Sequence, residues 1–282
     1  MNSRTAPGAA VRTVTATGSG TLTQGDAVDF LRTLPDATAQ LVVTSPWFTG
    51  PFTPSSTDPT SPGFAKWLDP FVAEIARVLR PDGSLVLELG CCWAKDAPVR
   101  TVQNFSAIAG LLAGGDWHLL QEFYWYNPGF LDTDVEWSDR RRERLDDCVS
   151  TWFWLAGTPD VPVDVRGVRG FQNHLTRAYG NFLVLGDSAA DDPAPDSRPG
   201  PADASGDPSG ERERAHAERF PVALPEYFIR LLTREGELVV DPFAGTGATA
   251  LAAEATGRAW ACNDFSDEAT GIAERRIDAL RR

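Results

Sequence analysis

Residues 237–264 read ELVVDPFAGTGATALAAEATGRAWACND, and this stretch decides the fold. ELVV is an apolar run of strand length, DPFAGTG is rich in turn residues, ATALAAEAT is built of helix formers, and AWACN is apolar again. Apolar runs of this length around a helical segment predict strand, turn, helix and strand, one βαβ unit of a parallel sheet. The glycines let the backbone bend sharply and come close to a ligand that a side chain would hold away. Asp264 ends the second strand, where a carboxylate can accept hydrogen bonds from two ribose hydroxyls. The turn matches neither GxGxxG nor a phosphate loop with its Lys-Ser/Thr. A nucleoside-like ligand without a di- or triphosphate is therefore expected. A lone GxG would be read as a plain connection; here the turn, its strand and Asp264 coincide.

Working outward, the same rhythm recurs. GTLTQGD (20–26) predicts a strand and turn, AVDFLRTL (27–34) a short amphipathic helix, and AQLVVTS (39–45) a buried strand. FAKWLDPFVAEIARVL (64–79) has helical spacing; RPDG (80–83) predicts a turn and SLVLELG (84–90) a strand. Such alternation marks an α/β fold, a mostly parallel sheet with helices on both faces. FPVALPEYFIRLLTREG (220–236) predicts a helix entered through proline. Residues 1–18 are small and polar and are expected to form a loose arm before a single domain over 19–282. Residues 187–211 are nearly devoid of hydrophobic side chains and are expected to be a disordered loop.

Composition narrows the partners. The 282 residues carry a net charge of −13, which argues against indiscriminate nucleic-acid binding through many phosphate contacts. A local basic face stays open, because Arg140, Arg141, Arg142 and Arg144 fall within five residues. The commoner fate of such a run is a solvated face. Neither a membrane-length apolar run nor a signal-peptide core is present, so a soluble, cytoplasmic protein is expected. Cys91, Cys92, Cys148 and Cys262 form no CxxC pair, which supports neither zinc nor a disulfide framework; no metal is expected. Trp125, Trp137, Trp152 and Trp154 lie in apolar runs and are assigned to the core or scaffold, and His216 to a structural role.

One stretch is unusual for a strand end: LVVTSPWFT (41–49) breaks at Ser45-Pro46 and continues into Trp47 and Phe48. Together with DPFAGTG it resembles the β-class (permuted) S-adenosylmethionine-dependent DNA amino-methyltransferases, cytosine-N4 branch. In that family the catalytic motif, (Ser/Asn/Asp)-Pro-Pro-aromatic, precedes the cofactor loop, as TSPWF (44–48) precedes DPFAGTG (241–247) here. GDAVDFL (25–31), RVLRPDGSLVLELG (77–90), QEFYWYNPG (121–129), RRRERLDDCVSTWFWLAGT (140–158) and HAERFPVALPEYFI (216–229) resemble family segments in the same order.

The resemblance implies a Rossmann-like methyltransferase fold in permuted motif order, with a target-recognition insertion at about 127–180. It implies S-adenosylmethionine as cofactor, bound by Asp26, Phe220, Pro221, Asp241, Phe243, Ala244, Gly245, Thr246, Gly247 and Asp264. It implies double-stranded DNA with a flipped base as substrate, and a cognate restriction nuclease as a candidate partner. Ser45, Pro46, Trp47 and Phe48 become the catalytic residues. The Ser45 side chain and the Pro46 carbonyl would hold the two hydrogens of an exocyclic amine, and Phe48 would stack on the base. The arginines at 140–144 become DNA contacts. Ser before the proline leans towards cytosine N4, with adenine N6 as the nearest competitor. Trp47 stands where the family has its second proline, which leaves a second class open: a non-catalytic DNA-binding or regulatory protein that keeps the fold. No cysteine follows a proline, so covalent attack of the cytosine-C5 kind has no nucleophile.

Overall fold

The computed structural model describes residues 11–46, 64–89, 97–126, 140–145, 147–171, 180–185 and 220–280. The expected disordered loop at 187–211, Trp47, Phe48, Trp137, His216, Cys91 and Cys92 lie outside them. The described strands are β1 (Arg12–Ala16), β2 (Gly20–Gln24), β3 (Ala39–Thr44), β4 (Leu79–Glu88), β5 (His118–Tyr126), β6 (Val149–Ala156), β7 (Phe182–Leu183), β8 (Leu238–Asp241) and β9 (Ala259–Asp264). The α-helices are α1 (Ala27–Thr33), α2 (Phe64–Val78), α3 (Gln103–Ala113), α4 (Ala223–Leu232), α5 (Ala248–Ala255) and α6 (Asp267–Ala279).

All nine strands join one sheet in the order β1-β2-β9-β8-β3-β4-β6-β5-β7. β2, β9, β8, β3 and β4 run parallel, and β1 and β6 run against their neighbours. The parallel centre is buried on both faces, which is why β3 reads as a continuous apolar run with all six residues buried. Leu41 and Val43 face a core built with α4, α5 and α6, whereas Ala39 and Val42 face one built with α1, α2 and α3. The sheet is thus a Rossmann-like methyltransferase layer with helices on both sides.

The chain leaves β3 for β4 on one side and leaves β8 for β9 on the other. Between β3 and β8 the winding reverses, and in open α/β sheets ligands bind outside the carboxyl ends of strands at such a reversal. The two motifs singled out above follow these two strands.

Three expectations need correction. Residues 12–16 are not a loose arm: RTVTA forms β1, an edge strand antiparallel to β2. Its β-branched Thr and Val favour extended pairing, a signal outweighed in the reading by the small polar residues around it. RPDG is not a turn ahead of the strand. β4 starts at Leu79, and the register jumps from Ala39↔Leu79 to Leu41↔Ser84, so residues 80–83 bulge out within it. Within the 127–180 segment, residues 149–156 are β6, a sheet strand between β4 and β5.

Gly247 caps α5 in the left-handed region (φ 85°), and a Cβ there would stand 2.9 Å from the Ala273 Cβ of α6. Gly236 shares the backbone conformation (φ 80°) but faces open space. Gly236→Ala is therefore expected to cost about 1–2 kcal/mol from backbone strain alone. Gly247→Ala should cost about 1–3 kcal/mol more from overpacking. Denaturant unfolding of the two variants checks this, and equal losses would contradict the close packing of α6 on the turn.

Candidate active site

Asp241 closes β8 and is fully buried. Its Oδ1 accepts from Thr44 Oγ1 at 2.7 Å and from the Phe243 N–H at 3.0 Å, and its Oδ2 accepts from Thr249 Oγ1 at 2.6 Å. One carboxylate therefore ties the last residue of β3 to the turn after β8 and to the first turns of α5. Burial drives its pKa up from 3.8 to about 6, with Asp264 adding repulsion, while the three donors oppose the rise. Enclosed on all sides, Asp241 holds the turn in place and offers no face to a ligand, which corrects its expected role as a cofactor contact.

The rest of the turn is fixed from three directions. Ala244 N–H donates to Asn263 O at 2.8 Å and Gly245 N–H to Asp264 Oδ2 at 2.8 Å. Arg276 of α6 donates to Thr246 O at 2.9 Å. The Phe243 ring packs on Phe71 (5.2 Å) and Trp67 (6.3 Å) of α2. Gly245, with φ 53°, has open space where a side chain would project. Asp264 is 2% exposed; its Oδ1 accepts from Ser266 N–H, and burial raises its pKa. Each oxygen keeps a lone pair beyond these backbone bonds. Asp26 stands at the end of β2, the neighbour of β9, and its Oδ1 caps α1 by accepting from the N–H groups of Val28 and Asp29.

On the β3 side, Ser45 and Pro46 follow directly, Ser45 half-buried and Pro46 buried. Ser45 Oγ donates to Glu88 Oε2, and Ser150 Oγ donates to Glu88 Oε1. Glu88 ends β4, and Ser150 lies near the start of the antiparallel β6, so strand ends bring the three together. Burial raises the Glu88 pKa, and the two hydroxyl donors pull it back. Beside them Trp152 stacks on Phe228 of α4 (5.7 Å) and meets Phe220 edge-on (5.5 Å). Phe220, half-buried like Pro221, is thus placed by Trp152 next to the Ser45 corner. The indole N–H groups of Trp125 and Trp152 are buried without a hydrogen-bond partner among the described residues.

Arg140, Arg141 and Arg142 are exposed and Arg144 is half-buried, just ahead of β6. Because β6 starts at the carboxyl end of β4, this run approaches the same rim of the sheet. The ion pair of Arg100 with Asp147 ties the end of that segment down. The sequence reading missed Glu88, Ser150, Thr44 and Thr249. A glutamate inside LVLELG is the one signal that could have found Glu88, since a charge in a buried strand needs partners. Ser150 gives no such signal.

A family model described as DNA methylase matches residues 39–275. The chain belongs to this family. As a DNA methylase it is 29% identical over 276 residues to the type II methyltransferase M.PvuII of Proteus hauseri, covering 89% of this chain and 82% of the relative. It is 26% identical to the type II methyltransferase M.XycI of Xanthomonas campestris pv. cyanopsidis, covering 91% and 87%. Among solved structures, the cytosine-N4-specific PvuII DNA methyltransferase superposes with a TM-score of 0.74 at 28% identity, covering 93% of this chain and 87% of the other. A DNA modification methylase of Thermus thermophilus, solved complexed with S-adenosyl-L-methionine, matches in fold with a TM-score of 0.60 at 20% identity, covering 91% and 94%. The DNA methylase is thus a DNA methyltransferase of the N4/N6 kind.

The Asp241 carboxyl gives a test with a definite sign. Its folded pKa, about 6, exceeds the ordinary 3.8, so between these values the folded state binds more protons than the unfolded one. Its contribution to stability is present below about pH 4 and is lost as pH rises through about 6, by about 3 kcal/mol in all. Asp241→Asn removes this dependence. Unfolding measured from pH 4 to 7 should show the wild type losing stability relative to the variant as pH rises; a constant difference would contradict the buried, proton-holding carboxyl.

Proposed function

We propose that this DNA methylase transfers a methyl group from S-adenosylmethionine to the exocyclic N4 amine of a cytosine flipped out of a specific duplex DNA sequence. The observation that carries the reading is the Thr44–Asp241 hydrogen bond, which sets the Ser45-Pro46 end of β3 beside the glycine turn. A base amine held at the first and a cofactor held at the second would be neighbours. Likeness to the cytosine-N4-specific PvuII enzyme favours cytosine.

The residues present fit the cofactor. Gly245 leaves open space at the turn, and Asp264 retains lone pairs for ribose hydroxyls. Phe243, Ala244, Thr246 and Gly247 shape the turn, and Asp26, Phe220 and Pro221 stand along the same rim. Bound there, S-adenosylmethionine supplies a methyl group on a positively charged sulfur. The chain's own part is to present the amine. A cytosine amine is a weak nucleophile because its lone pair is delocalised into the ring. Acceptors at Ser45 Oγ and the Pro46 carbonyl draw its hydrogens out of the ring plane and leave the lone pair aimed at the methyl group. Phe48 stacks on the flipped base, and Trp47 borders the same pocket. Flipping is required because the amine is out of reach within the duplex.

Arg140, Arg141, Arg142 and Arg144 contact phosphates at the rim, a local basic face on an acidic chain. The parts of 127–180 outside β6 read the target sequence. A nuclease of the same specificity is a fitting partner, since the relatives are type II methyltransferases. No described helix is long and apolar enough to cross a membrane, and the enzyme works on DNA in the cytoplasm.

Labelled-methyl transfer to unmethylated duplex DNA, with RNA and free nucleosides as alternative acceptors, tests the reading. Ser45→Ala is expected to lose most transfer while cofactor binding stays near the wild type. Asp264→Ala should weaken cofactor binding by about 1.5–3 kcal/mol, the worth of hydrogen bonds to a charged group. Wild-type protein that labels no nucleic acid would contradict the proposal and favour the non-catalytic DNA-binding reading.

A further inference from the structure

Ser45 and Ser150 sit on different strands yet are turned to the same carboxylate. A hydroxyl has one hydrogen and two lone pairs. Ser45 gives its hydrogen to Glu88 Oε2, so towards the cleft its oxygen has only lone pairs left. Ser150 is 2% exposed and lies behind; its donation to Oε1 fixes the plane of the carboxylate. Without that carboxylate, the Ser45 hydroxyl would rotate freely and could present its hydrogen instead.

Building on the amine-methylation reading above, we propose that Glu88, braced by Ser150, is the positioning residue that makes Ser45 an obligate acceptor. The pocket then takes a base by an exocyclic amine and rejects one that carries an oxo group in the same place. An amine offers two hydrogens to such an acceptor. An oxo group offers only lone pairs, so acceptor would face acceptor in a partly desolvated corner. A site built to bond one group discriminates strongly against an analogue that leaves its polar atoms unpaired. The arrangement requires an ionised Glu88. Two hydroxyl donors favour that state against the burial that opposes it.

Glu88→Gln keeps the shape but puts a donor where one serine hydrogen must point. One hydroxyl is thereby forced to turn. The maximal rate of methyl transfer to unmethylated bacteriophage duplex DNA should fall about 10- to 100-fold, the loss of a hydrogen bond to a charged group. The cofactor dissociation constant from calorimetry should stay within about twofold, and the melting temperature should be nearly unchanged. Ser150→Ala should shift the rate in the same direction but less. A Glu88→Gln variant with the wild-type rate would overturn the proposal. So would a rate loss matched by equal losses of cofactor binding and stability, which marks a merely structural role. Infrared difference spectra of wild type minus Glu88→Gln, near neutral pH, give a readout independent of catalysis. An ionised carboxylate stretch is expected; the carbonyl stretch of a protonated acid would overturn the proposal. Wild-type protein inert towards DNA would count against the amine-methylation reading, and the infrared result would still decide the state of Glu88.

Discussion

One buried carboxylate holds the arrangement together. Asp241 accepts from Thr44 at the end of β3, from Thr249 in α5 and from the backbone of the intervening turn. A charge in that position is costly to bury, and its raised pKa records the cost. What the cost secures is register between two strand ends from opposite ends of the sequence. Thr44 and Asp241 are 197 residues apart along the chain. Methyl transfer demands that donor and acceptor meet in line, and small displacements there cost rate steeply. The parallel sheet brings β3 and β8 side by side, and the hydrogen bonds of Asp241 set their ends.

The parts of the site legible in the sequence were those with local signatures. The glycine turn announces itself because only glycine sits comfortably at φ 85° against Ala273, as Gly247 does. The strand-helix rhythm revealed the layer order because a parallel strand buried on both faces must be apolar throughout, as β3 is. Trp125, Trp152 and Trp154 were placed in the core by the same logic, and all three are buried.

What escaped was long-range. Glu88 and Ser150 are 62 residues apart, and only the antiparallel pairing of β6 with β4 joins them. β1 escaped for a different reason: as an edge strand it carries no buried run, and its signal is five residues of β-branched composition. Asp241 and Asp264 were both read as ligand contacts. Asp241 has its carboxylate used up by protein donors, whereas Asp264 keeps acceptor capacity. Neighbours that compete for a carboxylate's lone pairs cannot be counted from one motif alone.

On the proposed reading, an acidic chain with a net charge of −13 acts on a polyanion. The sheet's geometry eases the conflict, because the arginines before β6 gather at the rim where the catalytic strand ends lie. The central claim is that these strand ends methylate the exocyclic amine of cytosine. Its most direct measurement is mass spectrometry of nucleosides from duplex DNA incubated with the purified protein and isotopically labelled S-adenosylmethionine. The account expects labelled N4-methyldeoxycytidine and no other methylated nucleoside. Labelled N6-methyldeoxyadenosine in its place, or no labelled nucleoside at all, would contradict it.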